Sequence, residues 1–438
     1  MPRAPERQLT LLDSTCLIVG IIVGVGIYQM APTIAGGMPG AVSLLALWAV
    51  GGLLSLCGAL GYAELASAYP REGGDYVFLT RAYGPWAGFL FGWIQLTVVR
   101  PGDIAIVAFA FATYARVLID PQATDAHGLA LRLYACAAVV VMTAINVAGV
   151  RAGKGVQNAL TILKIAGLLA IVGVAVAAPA GGAAVPRVDS VPPHVALIMV
   201  LFTFGGWNEM AYVAAEVRDP RRNIARALVL GTVAVTALYL AVNAALLYTL
   251  GYAGLTASKA VAVDAIATVF ADSGGRIIAA LVCVSALGAV NGLVFTGARI
   301  SYAVGADHRA FRVLGRWDAR TGTPVRSLVA QGAIAAALVL ALGSFIETVL
   351  YYAAVVYAFY LATSVAVIVL RFREPYVERP FRVPLYPVPT LVFAAVCGFL
   401  IYGAVTYKPV LSATAFGLVL LGLPVYWLTR GRALEPRP

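Results

Sequence analysis

Residues 18–28 read IVGIIVGVGIY, an apolar run interrupted by Gly20, Gly24 and Gly26. Glycine weakens a helix interior, and inside a bilayer the backbone unwinds only where protein or a cavity satisfies the freed amides and carbonyls. The run therefore reads as a membrane helix broken at a candidate binding site. A second such stretch, FTFGGWN at 202–208, follows about 180 residues later, the offset of about five helices that an inverted repeat requires. Glycines at one of these points alone would serve close helix packing equally well. Two interruptions in corresponding positions of two halves favour a site.

An unwound point leaves N–H groups at the start of one half-helix and carbonyls at the end of the other, and a zwitterion fits both. The candidate contacts are Ile22 and the amides of Gly24, Val25 and Gly26 for a carboxylate, and the carbonyls of Phe202, Thr203 and Phe204 for an ammonium.

The rest of the chain supports a lipid setting. Hydrophobic residues make up 61% of the 438 and charged residues only 12%, far from what a water-soluble surface needs. A window of about 19 residues finds apolar runs at 11–34, 41–65, 85–118, 130–149, 156–178 and 194–217, then at 224–250, 275–305, 325–342, 345–370, 387–406 and 410–429. The expectation is an all-α integral membrane protein of twelve transmembrane helices in one domain, 1–438. Its parts are a first repeat at 11–178, a second at 194–370 and two peripheral helices at 387–429. The first run lacks a small-residue cleavage site and reads as a retained helix.

The net charge of +11 comes from short basic tracts between apolar runs, which argues for topology and against nucleic acid. Arg71, Arg81, Arg151, Lys154, the clusters at 218–226, 309–326 and 371–382, and the tail residues Arg430, Arg432 and Arg437 all fall on one side of a twelve-helix path. Arg187, Lys259 and Lys408 are the main exceptions. Because cytoplasmic loops retain positive charge, both termini are expected in the cytoplasm of a cell bounded by this (inner) membrane. Cys16, Cys57, Cys136, Cys283 and Cys397 lie in apolar stretches without paired spacing and read as small core residues. His127, His194 and His308 form no metal-ligand spacing, and no catalytic grouping or phosphate loop is visible, so no metal, cofactor or enzymatic role is expected. A channel of this size would show repeated filter sequences, and none is present.

Five motifs, in order, resemble the amino acid, polyamine and organocation transporters, and within them the L-type amino-acid transporter group. They are GVGI at 24–27, YAELASAYPREGGDY at 62–76, WIQLTVVRP at 93–101, FTFGGWN with EVRDPRRNIARA at 202–227, and VNGLVFTGAR at 290–299. The resemblance implies a LeuT-type fold, a 5+5 inverted repeat with helices 1 and 6 broken, and transport of amino acids by alternating access. It implies that Phe202 is an aromatic gate and Asn208 a polar residue beside the substrate. Lys164, in QNALTILKIAG at 157–167, matches a fifth-helix lysine that replaces sodium, with Ser285 as its partner. The alternative for Lys164 is a side chain that snorkels to the inner surface from about two turns into its helix.

Departures from the pattern matter. Val25 replaces a small or hydroxyl residue, and Glu209 stands where large-neutral members carry an aromatic. Glu209 is open to three roles: recognising a cationic side chain, coupling to protons, or ending in a water-filled vestibule. Asp103, three residues after Arg100, is placed to pair with it, the alternative being a substrate contact. The animal members bond a heavy subunit through a cysteine after the third helix; the segment 119–129 has none, so no disulfide-linked partner is expected, only a monomer or weak homo-oligomer. The expected function is sodium-independent exchange or facilitated transport. Proton-coupled uptake of an amino acid, including a cationic one or an amine, is the rival.

Overall fold

A computed structural model describes residues 6–119, 128–177, 191–258, 261–267, 274–341, 345–407 and 409–429. His127, Arg187, Lys259, Lys408, Arg430, Arg432, Arg437 and the expected helix break at 342–344 lie outside them.

The described residues are almost entirely helical. The chain opens with α1 (Leu11–Ile22), α2 (Gly26–Gln29), α3 (Ala31–Gly36), α4 (Ala41–Ala68), α5 (Asp75–Tyr83), α6 (Pro85–Ile94), α7 (Arg100–Ile119), α8 (Leu129–Val147) and α9 (Val150–Ala177). It continues with α10 (Pro193–Thr203), α11 (Pro220–Ala257), α12 (Val261–Ala267), α13 (Gly274–Asp307), α14 (Val325–Ala341), α15 (Phe345–Arg373), α16 (Val388–Tyr407), α17 (Pro409–Leu420) and α18 (Gly422–Thr429). Among the described residues, ten helices are long and apolar enough to cross a membrane, and α1 and α14 are shorter apolar helices.

The side chains are distributed opposite to those of a water-soluble protein. Val42, Val176 and Leu428 are exposed on the outside of the bundle, whereas Lys164, Asn291, Arg299 and Gln331 are completely buried. Lipid solvates the first set, and the second set finds its partners inside the protein.

Two helices are interrupted where the glycines fall. α1 stops at Ile22 and helix resumes at Gly26; α10 stops at Thr203 and is followed by 3-10 turns at Trp207–Tyr212 and Ala214–Glu216. Gly206 takes φ 110, a left-handed value that favours glycine. Gly20 behaves differently from the expectation: it lies inside α1, and a Cβ there would sit 2.2 Å from both Gln157 Nε2 and Thr161 Oγ1. It is a packing glycine that lets α1 press against α9. The third spanning helix carries a π-helical turn at Gln95–Val99, directly before Arg100.

Polar contacts gather at the end of the bundle that holds the basic loops. The backbone of Leu9 pairs with the segment at Val217, Lys154 and Asn158 hold Asp13, and Arg371 holds Glu64. Arg299 binds Glu216 through Nε at 2.7 Å and Nη2 at 3.2 Å. Glu72, in the loop before α5, stands beside this pair. Burial pushes its carboxyl up to about 7, Glu216 pushes the same way, and Arg71 and Arg299 oppose it.

Candidate functional site

A cavity of ≈ 210 Å³ occupies the centre of the bundle. Ile22, Gly24, Val25 and Gly26 line it from the first break, Phe202 and Thr203 from the second, and Glu209 from the 3-10 turn beyond. Phe204 is turned away, with its ring buried against Trp48 and Tyr239. Asn208 lies behind the wall, donating to Tyr212 Oη at 2.7 Å and accepting from Tyr360 Oη at 3.2 Å. Tyr360 itself lines the cavity, and α16, expected to be peripheral, contributes Phe393, Val396 and Leu400. The lining continues past the breaks through Met30, Ala110 and Leu201, away from the basic loops.

The first break keeps its geometry through side chains from other helices. Lys164 is completely buried and its Nζ donates to Gly20 O at 2.7 Å, Val23 O at 2.9 Å and Ser285 O at 2.9 Å. All three ammonium protons are thus used on carbonyls of α1, its unwound end and α13. Snorkelling is excluded by this burial, and α9 begins at Val150, earlier than the hydropathy run, which places Lys164 about four turns into the helix. Ser285 partners Lys164 through its backbone; its hydroxyl donates separately to Val23 O at 2.9 Å. Gly288 makes room for the ammonium, since a Cβ there would lie 3.0 Å from Nζ.

Tyr239 of α11 joins the two breaks. Its hydroxyl is 2.8 Å from Ile22 O and 3.3 Å from Thr203 O, the last carbonyls of the two half-helices. One proton shared between these acceptors holds them at a fixed separation. Tyr239→Phe is expected to raise the KM for transported substrate about tenfold, the loss of one such bond, with the folded yield unchanged. An unaltered KM in proteoliposome uptake would remove Tyr239 from the site.

The charged wall brings Arg100 an acidic neighbour besides the expected Asp103. Arg100 makes its ion pair with Glu209, Nη2 to Oε1 at 2.6 Å, and its Nε donates to Gln95 Oε1 at 3.1 Å. The second oxygen of Glu209 accepts from Thr296 Oγ1 at 2.6 Å. Glu209 is only 4% exposed although it lines the cavity. Both of its oxygens are engaged, so the wall presents a compensated ion pair.

Sequence reading missed Tyr239 and the amide cluster beneath Lys164, where Asn291 donates to Gly153 O and Gln157 Oε1, and Asn146 donates to Asn291 Oδ1. Asn291 stands in the VNGLVFTGAR motif, which was the available signal. Tyr239 is one of 21 tyrosines in an apolar run and carries no local signature.

A bundle of apolar crossings around a central cavity, with two interrupted helices meeting there and the charges paired inside, is the build of a multi-pass membrane transporter. The chain belongs to the amino acid permease family, whose pattern it matches over residues 9–428. It is 30% identical to the b(0,+)-type amino acid transporter 1 of Mus musculus, over 97% of this chain and 88% of that protein. It is also 30% identical to the large neutral amino acids transporter small subunit 2 of Homo sapiens, over 97% of this chain and 81% of that protein. The rabbit (Oryctolagus cuniculus) form of that subunit is 31% identical over the same shares. The family and these relatives are transporters of amino acids, not enzymes.

Proposed function

We propose that this protein is a sodium-independent amino-acid transporter, an exchanger or facilitator working by alternating access, with the substrate head group bound between the two breaks. The observation that carries this reading is the Lys164 ammonium. Carbonyl oxygens from a broken helix and a neighbouring one make a cation site in a membrane protein, and here a fixed protein cation fills it. A metal ion is then unnecessary for holding the break.

Val25 and Gly26 at the start of α2 offer backbone to the substrate carboxylate, and the end of α10 offers carbonyls to its ammonium. Phe202, on the cavity wall between them, is the gate. The ten long spans with α1 and α14 give twelve crossings, arranged as repeats at 11–178 and 194–370 followed by 387–429. The basic loops face the cytoplasm by the positive-inside rule, which puts both termini there and the protein in the cell membrane. In that orientation the cavity reaches toward the outside, and the ion pairs at the basic end form the inner closure. The names of the relatives make neutral amino acids the first substrates to try.

Uptake of labelled amino acids into proteoliposomes tests this, with and without unlabelled amino acid inside and with imposed sodium or proton gradients. Uptake that needs internal amino acid and ignores both gradients is the expected result. Accumulation in empty vesicles driven by a proton gradient would replace exchange by symport. That second reading draws on the same residue, because among the described residues the hydrogen bonds of Lys164 go to carbonyls and not to a carboxylate that would fix its charge.

A further inference from the structure

The carboxylate of Asp75 is completely buried, although its short helix α5 is not among the ten long spans. Gly73 and Gly74, at φ 102 and 49, turn the chain so that the first residue of α5 enters the bundle. The glycines fit against the 3-10 turn beyond the second break: a Cβ on Gly74 would lie 2.7 Å from the Tyr212 ring, and Gly73 N donates to Tyr212 O at 3.1 Å.

Three hydroxyls from three different elements converge on Asp75. Tyr62 of α4 and Thr363 of α15 donate to Oδ1, and Tyr212 of the 3-10 turn donates to Oδ2 at 2.8 Å. Tyr212 in turn accepts from Asn208, which accepts from Tyr360 at the cavity wall. Every donor in this chain points the same way, from the cavity to the carboxylate. A carboxylate can accept all three hydroxyls because it carries about four lone-pair sites and no proton of its own. Nothing in the transport reading above uses Asp75.

We propose that Asp75 is a positioning residue for transport: it orients Tyr212, Asn208 and Tyr360 and so locks the cavity closed on its basic side, and release of these hydroxyls accompanies opening toward that side. The proposal rests on the transport reading for its functional meaning. Its structural content, that Asp75 governs access from the basic end, is testable without it. The lock joins α4, α5, α15 and the 3-10 turn, whose separation is what an opening on that side requires.

Asp75→Asn tests it with almost no change in volume. The amide places a donor where Oδ2 or Oδ1 was an acceptor, so at least one hydroxyl loses its partner or the link to Tyr212 reverses. Cys16 reports the opening, because it is buried on α1 between the break and the basic end. In a background with the other four cysteines replaced by alanine, labelling of Cys16 by a maleimide added on the basic side is expected to accelerate about tenfold in Asp75→Asn. The KM for uptake through the opposite side is expected to rise by a similar factor, with the folded yield and maximal rate less affected. Thr249→Val, which removes a buried hydroxyl bond to Ala245 O within α11, outside the lock's elements, is the control and should leave both readouts unchanged. Should Asp75→Asn fail to fold, Tyr212→Phe and Thr363→Val remove single donors and are expected to shift the same readouts in the same direction.

Unchanged Cys16 labelling and KM in folded Asp75→Asn, or in both donor variants, would overturn the proposal. A wild-type protein that carries no amino acid would overturn the transport reading instead, while the labelling experiment still decides the lock.

Discussion

Lys164→Ala is expected to lower amino-acid uptake by at least about a hundredfold while leaving a protein that folds and inserts. The substitution removes three charge-assisted hydrogen bonds, each worth about 1.5–3 kcal/mol. Not all of that is lost from the folded state. Gly20 belongs to α1, Val23 O keeps the Ser285 hydroxyl, and Ser285 lies within α13. What disappears is the bridge from α9 that ties α1, its unwound segment 23–25 and α13 to one point. The binding site is assembled from that segment, so the loss falls on transport more than on stability. Size-exclusion chromatography and uptake on the same preparations separate the two effects. Near-normal uptake by folded Lys164→Ala would remove Lys164 from the mechanism. Lys164→Met, which restores most of the volume but no donor, should resemble alanine; recovery of uptake in it would show that packing, not charge, was the requirement.

Both helix breaks were legible because glycine is the residue that makes unwinding cheap, and the basic loops were legible because charge is excluded from apolar runs. Gly20 was misjudged for the same reason: residue type alone does not separate a glycine that unwinds from one that admits a neighbour. Here Gln157 and Thr161 decide it, and they lie more than a hundred positions away. The helix α5 escaped notice because a spanning-length window registers long apolar runs, and α5 has nine residues with an acidic first turn. The 3-10 turns after the second break share their composition with an α-helix, so no sequence feature announced them. Asp103 was the visible partner for Arg100 because neighbours on a helix are the pairs one sequence shows. Its ion pair with Glu209 spans 109 residues and joins the helix after the π-helical turn to the 3-10 turn, a proximity that no local pattern announces.

The second large effect is expected at the basic end, where Arg299 and Glu216 form an ion pair with side chains 0% and 1% exposed. Arg299 also donates to Phe295 O at 2.8 Å and lies 3.8 Å over the Phe295 ring, so the guanidinium is held on several sides. Arg299→Leu strands a buried carboxylate, a loss of about 3–5 kcal/mol for one partner of such a pair. That is a large share of the stability of most folded proteins. The folded yield and Tm of this variant are therefore expected to fall sharply. Replacing both partners removes the stranded charge with the pair, because two apolar side chains of similar volume need no counter-ion. Arg299→Leu combined with Glu216→Leu is thus expected to recover most of the Tm lost by the single variant, a strongly non-additive cycle. Transport should stay impaired in the double variant. The pair connects α13 to the last turn before Val217, and the Glu216 carbonyl accepts from Leu9 N in the inner closure, a contact that loses its anchor when the carboxylate is gone. Thermal unfolding of the single and double variants in detergent gives the cycle directly. A double variant no more stable than Arg299→Leu would mean that the arginine acts through its contacts with Phe295 and not as the counter-ion of Glu216.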